Sequence, residues 1–305
     1  MAADHPRLQG LVERAREHAR HGVPRIAIVH PCDALALQAA VAIDREGIGQ
    51  PLLVGDPQAM ARAAGAVGVD LSAFEQVHAG DGGPGAAQRA TALARDGAVA
   101  ALMKGSLHTD ELMSAVVHRD DGLRTERRIS HAFVFDLPRY PKLLALADCV
   151  VNIAPDLRTK LDILGNAIGF LQRLGVERPK VGVVAAVESV NPQIPATLHA
   201  RELVEHAGRG HWPGAVVEGP FGFDNVISAE AARIKGLQSE VAGDADLLLM
   251  PDLNAGNMLY KSFVYIGGGD CAGLVLGTRV PVVLTSRADS QQARLASAAL
   301  ALLTG

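Results

Sequence analysis

The sequence predicts an α/β protein of two doubly wound domains with mainly parallel sheets, on three observations. Short apolar runs bounded by Gly and Pro alternate with helical patterns along nearly the whole chain. That is the pattern of strands buried on both faces beneath helices. Hydrophobic residues make up 49% of the chain and aromatics only 4%, so the core is built from Ala, Val, Leu and Ile, which suits parallel strands. The chain has 305 residues, more than the ~100–200 usual for one domain.

The elements follow in order. The polar amphipathic pattern at 7–20 predicts a helix, with no apolar signal core before it. RIAIVH (25–30) is a strand, 33–46 a helix, PLLVG (51–55) a strand and 57–65 a helix. A helix at 84–95 precedes the strand AVAALM (98–103) and a helix at 108–117. HAFVF (131–135) leads to a long helix at 157–174, and KVGVVAAV (180–187) to a helix at 195–207. GAVVEG (214–219), a helix at 228–236, DLLLM (246–250) and a helix at 254–264 complete the middle of the chain. AGLVLG (272–277), VPVVLT (280–285) and a helix at 289–303 end it. Continuous apolar runs of this length read as fully buried strands.

Two segments read as domain crossings: the Arg-rich HRDDGLRTERRIS from His118 and the glycine cluster YIGGGDCAG from Tyr265. They predict a discontinuous first domain, 1–126 with 270–305, and a second domain, 127–269. A ligand is expected in a cleft between the domains.

Composition excludes several function classes. A formal net charge of −4 gives no basic stripe for nucleic acid, and no run approaches the ~18–20 apolar residues of a membrane span. Cys32, Cys149 and Cys271 are far apart and odd in number, which predicts free thiols in a reducing, cytoplasmic compartment. GxGxxG after a strand, a Walker A loop, HExxH and GxSxG are all absent, and no metal-ligand spacing occurs.

The informative polar clusters follow strands, where ligands bind in open α/β sheets. Thr285-Ser286-Arg287-Ala288-Asp289 opens the last helix. A hydroxyl, a guanidinium and a carboxylate there can form an anion site, or a cap (Asp289) with a surface arginine. Lys104-Gly105-Ser106, with His108 and Thr109, is a second candidate for phosphate or a turn and cap. Asp252, Asn254 and Lys261 follow DLLLM, and Arg127-Arg128-Ile129-Ser130 precedes HAFVF. Each pair of readings stays open on local chemistry, and the shared placement at strand ends favours function.

Taken in order, these motifs resemble the phosphate acetyl/butyryltransferase family, closer to its butyryl-type members. KGSLHT, RRISH, AAVESVNPQIPAT, GPFGFDN, GDADLLLMPDLNAGNMLYK and VPVVLTSRADS carry the resemblance, from about residue 98 to the C-terminus. It implies acyl-CoA + phosphate ⇌ acyl phosphate + CoA, without metal, permanently bound cofactor or acyl-enzyme. It also implies two domains laid out as in isocitrate and isopropylmalate dehydrogenases, and a homodimer or larger assembly. Ser286, Arg287 and Asp289 are then the catalytic group. Lys104, Thr109, Arg128, Ser130, Asn254 and Lys261 are the substrate-binding residues, and acyl-CoA and inorganic phosphate the partners.

One position departs from the acetyl-type pattern. There the carboxylate assigned as base stands seven residues after the Ser, and here that place is Ala293; the nearby carboxylate is Asp289. Two other classes compete: an NAD-dependent decarboxylating or 4-hydroxythreonine-phosphate-type dehydrogenase, and a catalytically silent CoA-binding protein. Against the first, there is no Asp cluster for Mg²⁺ or His set for Zn²⁺. The intact Ser286-Arg287 pair argues against the second.

Overall fold

The structure, a computed structural model, describes residues 5–80, 82–286 and 289–305. The described residues begin with α1 (Pro6–Ala19), β1 (Arg25–Val29), α2 (Ala34–Arg45), β2 (Gln50–Gly55), α3 (Pro57–Val67) and β3 (Glu75–His78). They continue with α4 (Gly82–Arg95), β4 (Ala101–Lys104), α5 (Thr109–Val116), β5 (Ser130–Asp136), β6 (Leu144–Ala147) and α6 (Leu157–Arg173). Next come β7 (Lys180–Val184), α7 (Pro195–Gly208), β8 (Val216–Phe221), α8 (Phe223–Ile227), α9 (Ala229–Ile234) and β9 (Leu247–Leu249). The order closes with α10 (Leu253–Tyr265), β10 (Asp270–Leu276), β11 (Val282–Val283) and α11 (Gln291–Thr304). None of the described helices is long and apolar enough to cross a membrane.

The chain divides into two compact units. One comprises Leu8–Glu126 with Ala272–Gly305, the other residues 5–7 with Arg127–Cys271. In the first, the strands run in the order β3-β2-β1-β4-β11-β10. All neighbours are parallel except β10 and β11. Ile28 faces Leu53 on β2 and Met103 on β4, and Val283 of β11 faces Met103 from the other side. Ile26, Ile28, Leu37, Leu52, Leu53 and Leu102 are fully or almost fully buried there, as an apolar strand covered on both faces requires.

In the second unit the order is β5-β6-β9-β7-β8, parallel apart from β5 and β6. Its core gathers Phe135, Leu146, Cys149, Val226 and Leu248. Arg7 closes onto it: its N–H donates to Asp136 Oδ2 at 2.7 Å and its guanidinium pairs with Oδ1. This binds the start of α1 to the end of β5.

Helix starts are set by side chains that accept orphan backbone N–H groups. Asp33 accepts from Ala36 N at 2.8 Å, Asp156 from Thr159 N at 2.8 Å and Asp252 from Ala255 N at 3.0 Å. The last helix is capped by Ser290, which accepts from Ala293 N at 2.9 Å. The helix expected from 289 therefore starts at Gln291, and Asp289 is not its cap.

Three of the strands and α-helices among the described residues were not expected from the sequence. β3 (EQVH) is largely exposed at a sheet edge and shows no apolar run; β6 (LALA) and α8 are only four and five residues long. The strand expected at 280–285 is ordered as a strand only at Val282 and Val283, and that at 180–187 only through Val184. The residues beyond them form the turns that carry polar groups.

Candidate active site

In the first unit, the chain leaves β1 toward β2 and β3 on one side and returns to β4 on the other. Strand order reverses between β1 and β4, and a crevice opens at their carboxyl ends. A cavity of about 280 Å³ lies there. It is lined by Asp33 and Ala36 of the α2 start, by Lys104 at the end of β4, by Ser106 and Thr109 after it, and by Thr285, Ser286 and Arg294.

The turns around this cavity are tightly fixed. His30 follows β1 with φ of 55°, a left-handed conformation that strains a residue with a side chain. Its carbonyl accepts from Cys32 N at 2.9 Å, from Ser106 N at 3.0 Å and from Ser106 Oγ at 2.7 Å. Ser106 Oγ also accepts from Cys32 N at 3.2 Å, so one hydroxyl joins the β1 and β4 turns. Gly105 is required by close approach: a Cβ there would meet the His30 carbonyl oxygen at 2.6 Å. Thr285 Oγ1 donates to the Lys104 carbonyl at 2.9 Å, which ties the residues after β11 to the same turn.

Ser286 is held from two sides. Its N–H donates to Asp289 Oδ2 at 2.6 Å, and its carbonyl accepts from Arg294 Nη2. Asp289 thus braces the loop beside Ser286. Lys104 Nζ lies 3.3 Å from the Gly105 carbonyl. Burial, with the charges of Asp56 and Asp33 adding, pushes the Cys32 thiol up to about 11. Near neutral pH it is a thiol and no nucleophile.

Of the residues expected at the site, Lys104, Thr109 and Ser286 line this one cavity, with Asp289 bonded to Ser286. Arg287 lies outside the described residues. The sequence marked Thr285 within the cluster before the last helix and missed Asp33 and Arg294 as lining residues. Asp33 opens the helix after β1 and could have been found by position; Arg294 sits inside an apolar helix and carries no local signal.

Arg128, Ser130, Asn254 and Lys261 belong to the second unit. Asn166 Nδ2 donates to the Arg128 carbonyl at 2.9 Å and to Ser130 Oγ at 3.0 Å, and Asp162 accepts from Arg128 N at 3.1 Å. Ser130 is buried and the Arg128 side chain is exposed on this brace. Asn254 and Lys261 are exposed on α10. They stand two turns apart on one face, ~10 Å along the axis.

Much of the surrounding motif is architecture. Asp148 is buried and accepts from the N–H groups of His131, Val150, Val151 and Asn152 and from Asn152 Nδ2. Gly256 of α10 packs on the same segment, and a Cβ there would meet the Asp148 carbonyl oxygen at 2.7 Å. Burial pushes the His131 imidazole down to about 4, so it is neutral at physiological pH. Another cavity, of about 700 Å³, lies between α4 and α5 and includes Gln88, Thr91, Arg95 and His118. None of the expected site residues among the described residues lines it. Among the described residues no group of acidic, Cys and His side chains forms a metal site.

The family model described as phosphate acetyl/butaryl transferase matches residues 85–302. A phosphate acetyltransferase from Rhizobium meliloti is 48% identical over 291 residues, covering 93% of this chain and 90% of that protein. A phosphate butyryltransferase from Clostridium acetobutylicum is 38% identical over 279 residues and 92% of each chain. The crystal structure of a branched-chain phosphotransacylase from Enterococcus faecalis matches with a TM-score of 0.82 and 30% identity, over 92% of this chain and 99% of that one. Family model, relatives and fold agree, and the chain belongs to the phosphate acetyl/butyryltransferase family.

Proposed function

We propose that this chain is a phosphate acyltransferase that interconverts acyl-CoA and phosphate with acyl phosphate and CoA. It acts in the cytoplasm, as a homodimer or larger assembly, and takes CoA as substrate with no permanently bound cofactor. The observation that carries the reading is the cavity at the β1/β4 switch point, where Lys104, Ser106, Thr109, Ser286 and Arg294 converge. Hydroxyls and fixed cations at the carboxyl ends of parallel strands suit a phosphoryl group.

In the acyl phosphate-forming direction, a phosphate oxygen attacks the thioester carbonyl. The carbonyl oxygen becomes an oxyanion, the C–S bond breaks and CoA leaves as thiolate. Lys104 and Arg287 offset charge on phosphate and on the tetrahedral centre, and the Ser286 hydroxyl donates to the same region. In reverse, Asp289 takes the thiol proton as sulfur attacks the acyl phosphate. Its bond to Ser286 N keeps acid–base and donor groups together. Arg128, Asn254 and Lys261 contact the anionic substrates, and Ser130 steadies the Arg128 backbone through Asn166. Holding two anionic reactants together supplies much of the acceleration.

The test is thiol release from acetyl-, propionyl- and butyryl-CoA, with and without inorganic phosphate. Release that requires phosphate supports the reading, and the three rates assign the acyl length. Release at the same rate without phosphate contradicts it. Sedimentation at assay concentration reports the assembly, and a monomer there refutes that part.

A further inference from the structure

Arg294 stands near the start of α11, is 6% exposed and lines the switch-point cavity. Its Nη2 donates to the Ser286 carbonyl, while its Nε is buried without a hydrogen-bond partner. Among the described residues no carboxylate lies within ion-pair distance of it. A guanidinium never loses its proton in a protein. Burying one without a counter-charge is costly, and such charges are normally paired. Here the positive charge borders a cavity whose described lining includes one carboxylate, that of Asp33. That carboxylate is already engaged as the α2 cap. An anion bound in the cavity would offset that charge.

We infer that Arg294 is an anion-binding and positioning residue of the phosphate subsite. It holds Ser286 in place through the carbonyl and supplies fixed positive charge to the phosphoryl group of inorganic phosphate or acyl phosphate. Its position on a helix gives it the rigidity that a loop arginine lacks. The inference rests on reading the cavity as the phosphate site. It also means that positive charge in this reaction comes from α11 as well as from Arg287.

The experiment compares the wild-type enzyme with Arg294→Gln and Arg294→Lys. In the glutamine variant the KM for phosphate rises by about 10-fold or more, while the KM for acyl-CoA stays within about 2-fold. The lysine variant gives an intermediate phosphate KM with kcat still reduced, because one ammonium cannot replace the planar fork at both the Ser286 carbonyl and the anion. An unchanged phosphate KM, or equal increases for both substrates, overturns the inference. A second readout needs no turnover. Inorganic phosphate raises the melting temperature of the wild type and leaves Arg294→Gln unmoved, and CoA stabilises both proteins alike. A phosphate shift retained in Arg294→Gln overturns the subsite. A shift that depends on Arg294 in a protein lacking phosphate-dependent thiol release keeps the anion site and removes the acyltransferase reading. Should the glutamine variant fail to fold, the lysine variant decides, and a wild-type phosphate KM in it counts against the inference.

Discussion

The carboxylate of Asp289 is the residue on which the chemistry divides. Its Oδ2 accepts the Ser286 N–H at 2.6 Å, so it serves the loop whether or not it moves a proton. Asp289→Asn separates the two roles, since the amide oxygen still accepts that N–H while the base is gone. We expect turnover in the thiol-attack direction to fall by about 10²-fold or more, with the melting temperature little changed. Normal turnover in that direction would leave Asp289 as a brace only. Arg287→Ala is expected to lower kcat/KM by about 10²–10³-fold through lost charge stabilisation; near-normal phosphate-dependent thiol release would refute its role. At this scale the sequence showed Lys104, Thr109 and Ser286 because polar residues after an apolar strand stand out. Arg294 and Asp148 did not stand out. One is a single cation in an apolar helix, and the other is defined by backbone donors, which no sequence pattern displays.

Among elements, α10 and α6 carry distinct expectations. Gly256 lets α10 approach the segment after β6, with the Asp148 carbonyl oxygen 2.7 Å from where a Cβ would stand. Gly256→Ala should destabilise the protein by about 1–3 kcal/mol through overpacking, as read by denaturant unfolding. An unchanged midpoint would show that the helix shifts at no cost. On α6, Lys160 is buried with Nζ 3.1 Å from His199 Nδ1 of α7. Burial pushes it down to about 8 from 10.5, with Asp252 pulling the other way. Between those values the unfolded chain binds a proton that the folded one lacks, so this group's contribution to stability rises with pH across the window. Below it the protein bears the cost of a buried charge. Lys160→Met should therefore raise the melting temperature near neutral pH, and the gap should narrow toward about pH 10. A constant gap contradicts the assignment.

The same scale explains which elements were legible. Central strands are continuous apolar runs, and several helices open on Asp or Ser, so these are written locally. β3 has polar composition because it lies at an edge, and β6 is too short for a periodic signal. The antiparallel partners β5/β6 and β10/β11 are set by tertiary pairing rather than by composition.

For the molecule as a whole, the chain divides into two α/β units, and the proposed site lies in the first of them, where strand order reverses between β1 and β4. Family membership brings the reaction, and the place proposed for its phosphoryl group is the cavity with Lys104, Ser286 and Arg294. Acyl transfer to phosphate differs from thioester hydrolysis only in the acceptor, since both release CoA. The decisive measurement is therefore the acyl product, identified directly by phosphorus NMR as acyl phosphate, with the thiol released counted in a parallel sample. The account predicts one acyl phosphate per thiol released, and none when phosphate is omitted. Thiol release accompanied by free carboxylic acid instead of acyl phosphate would contradict it.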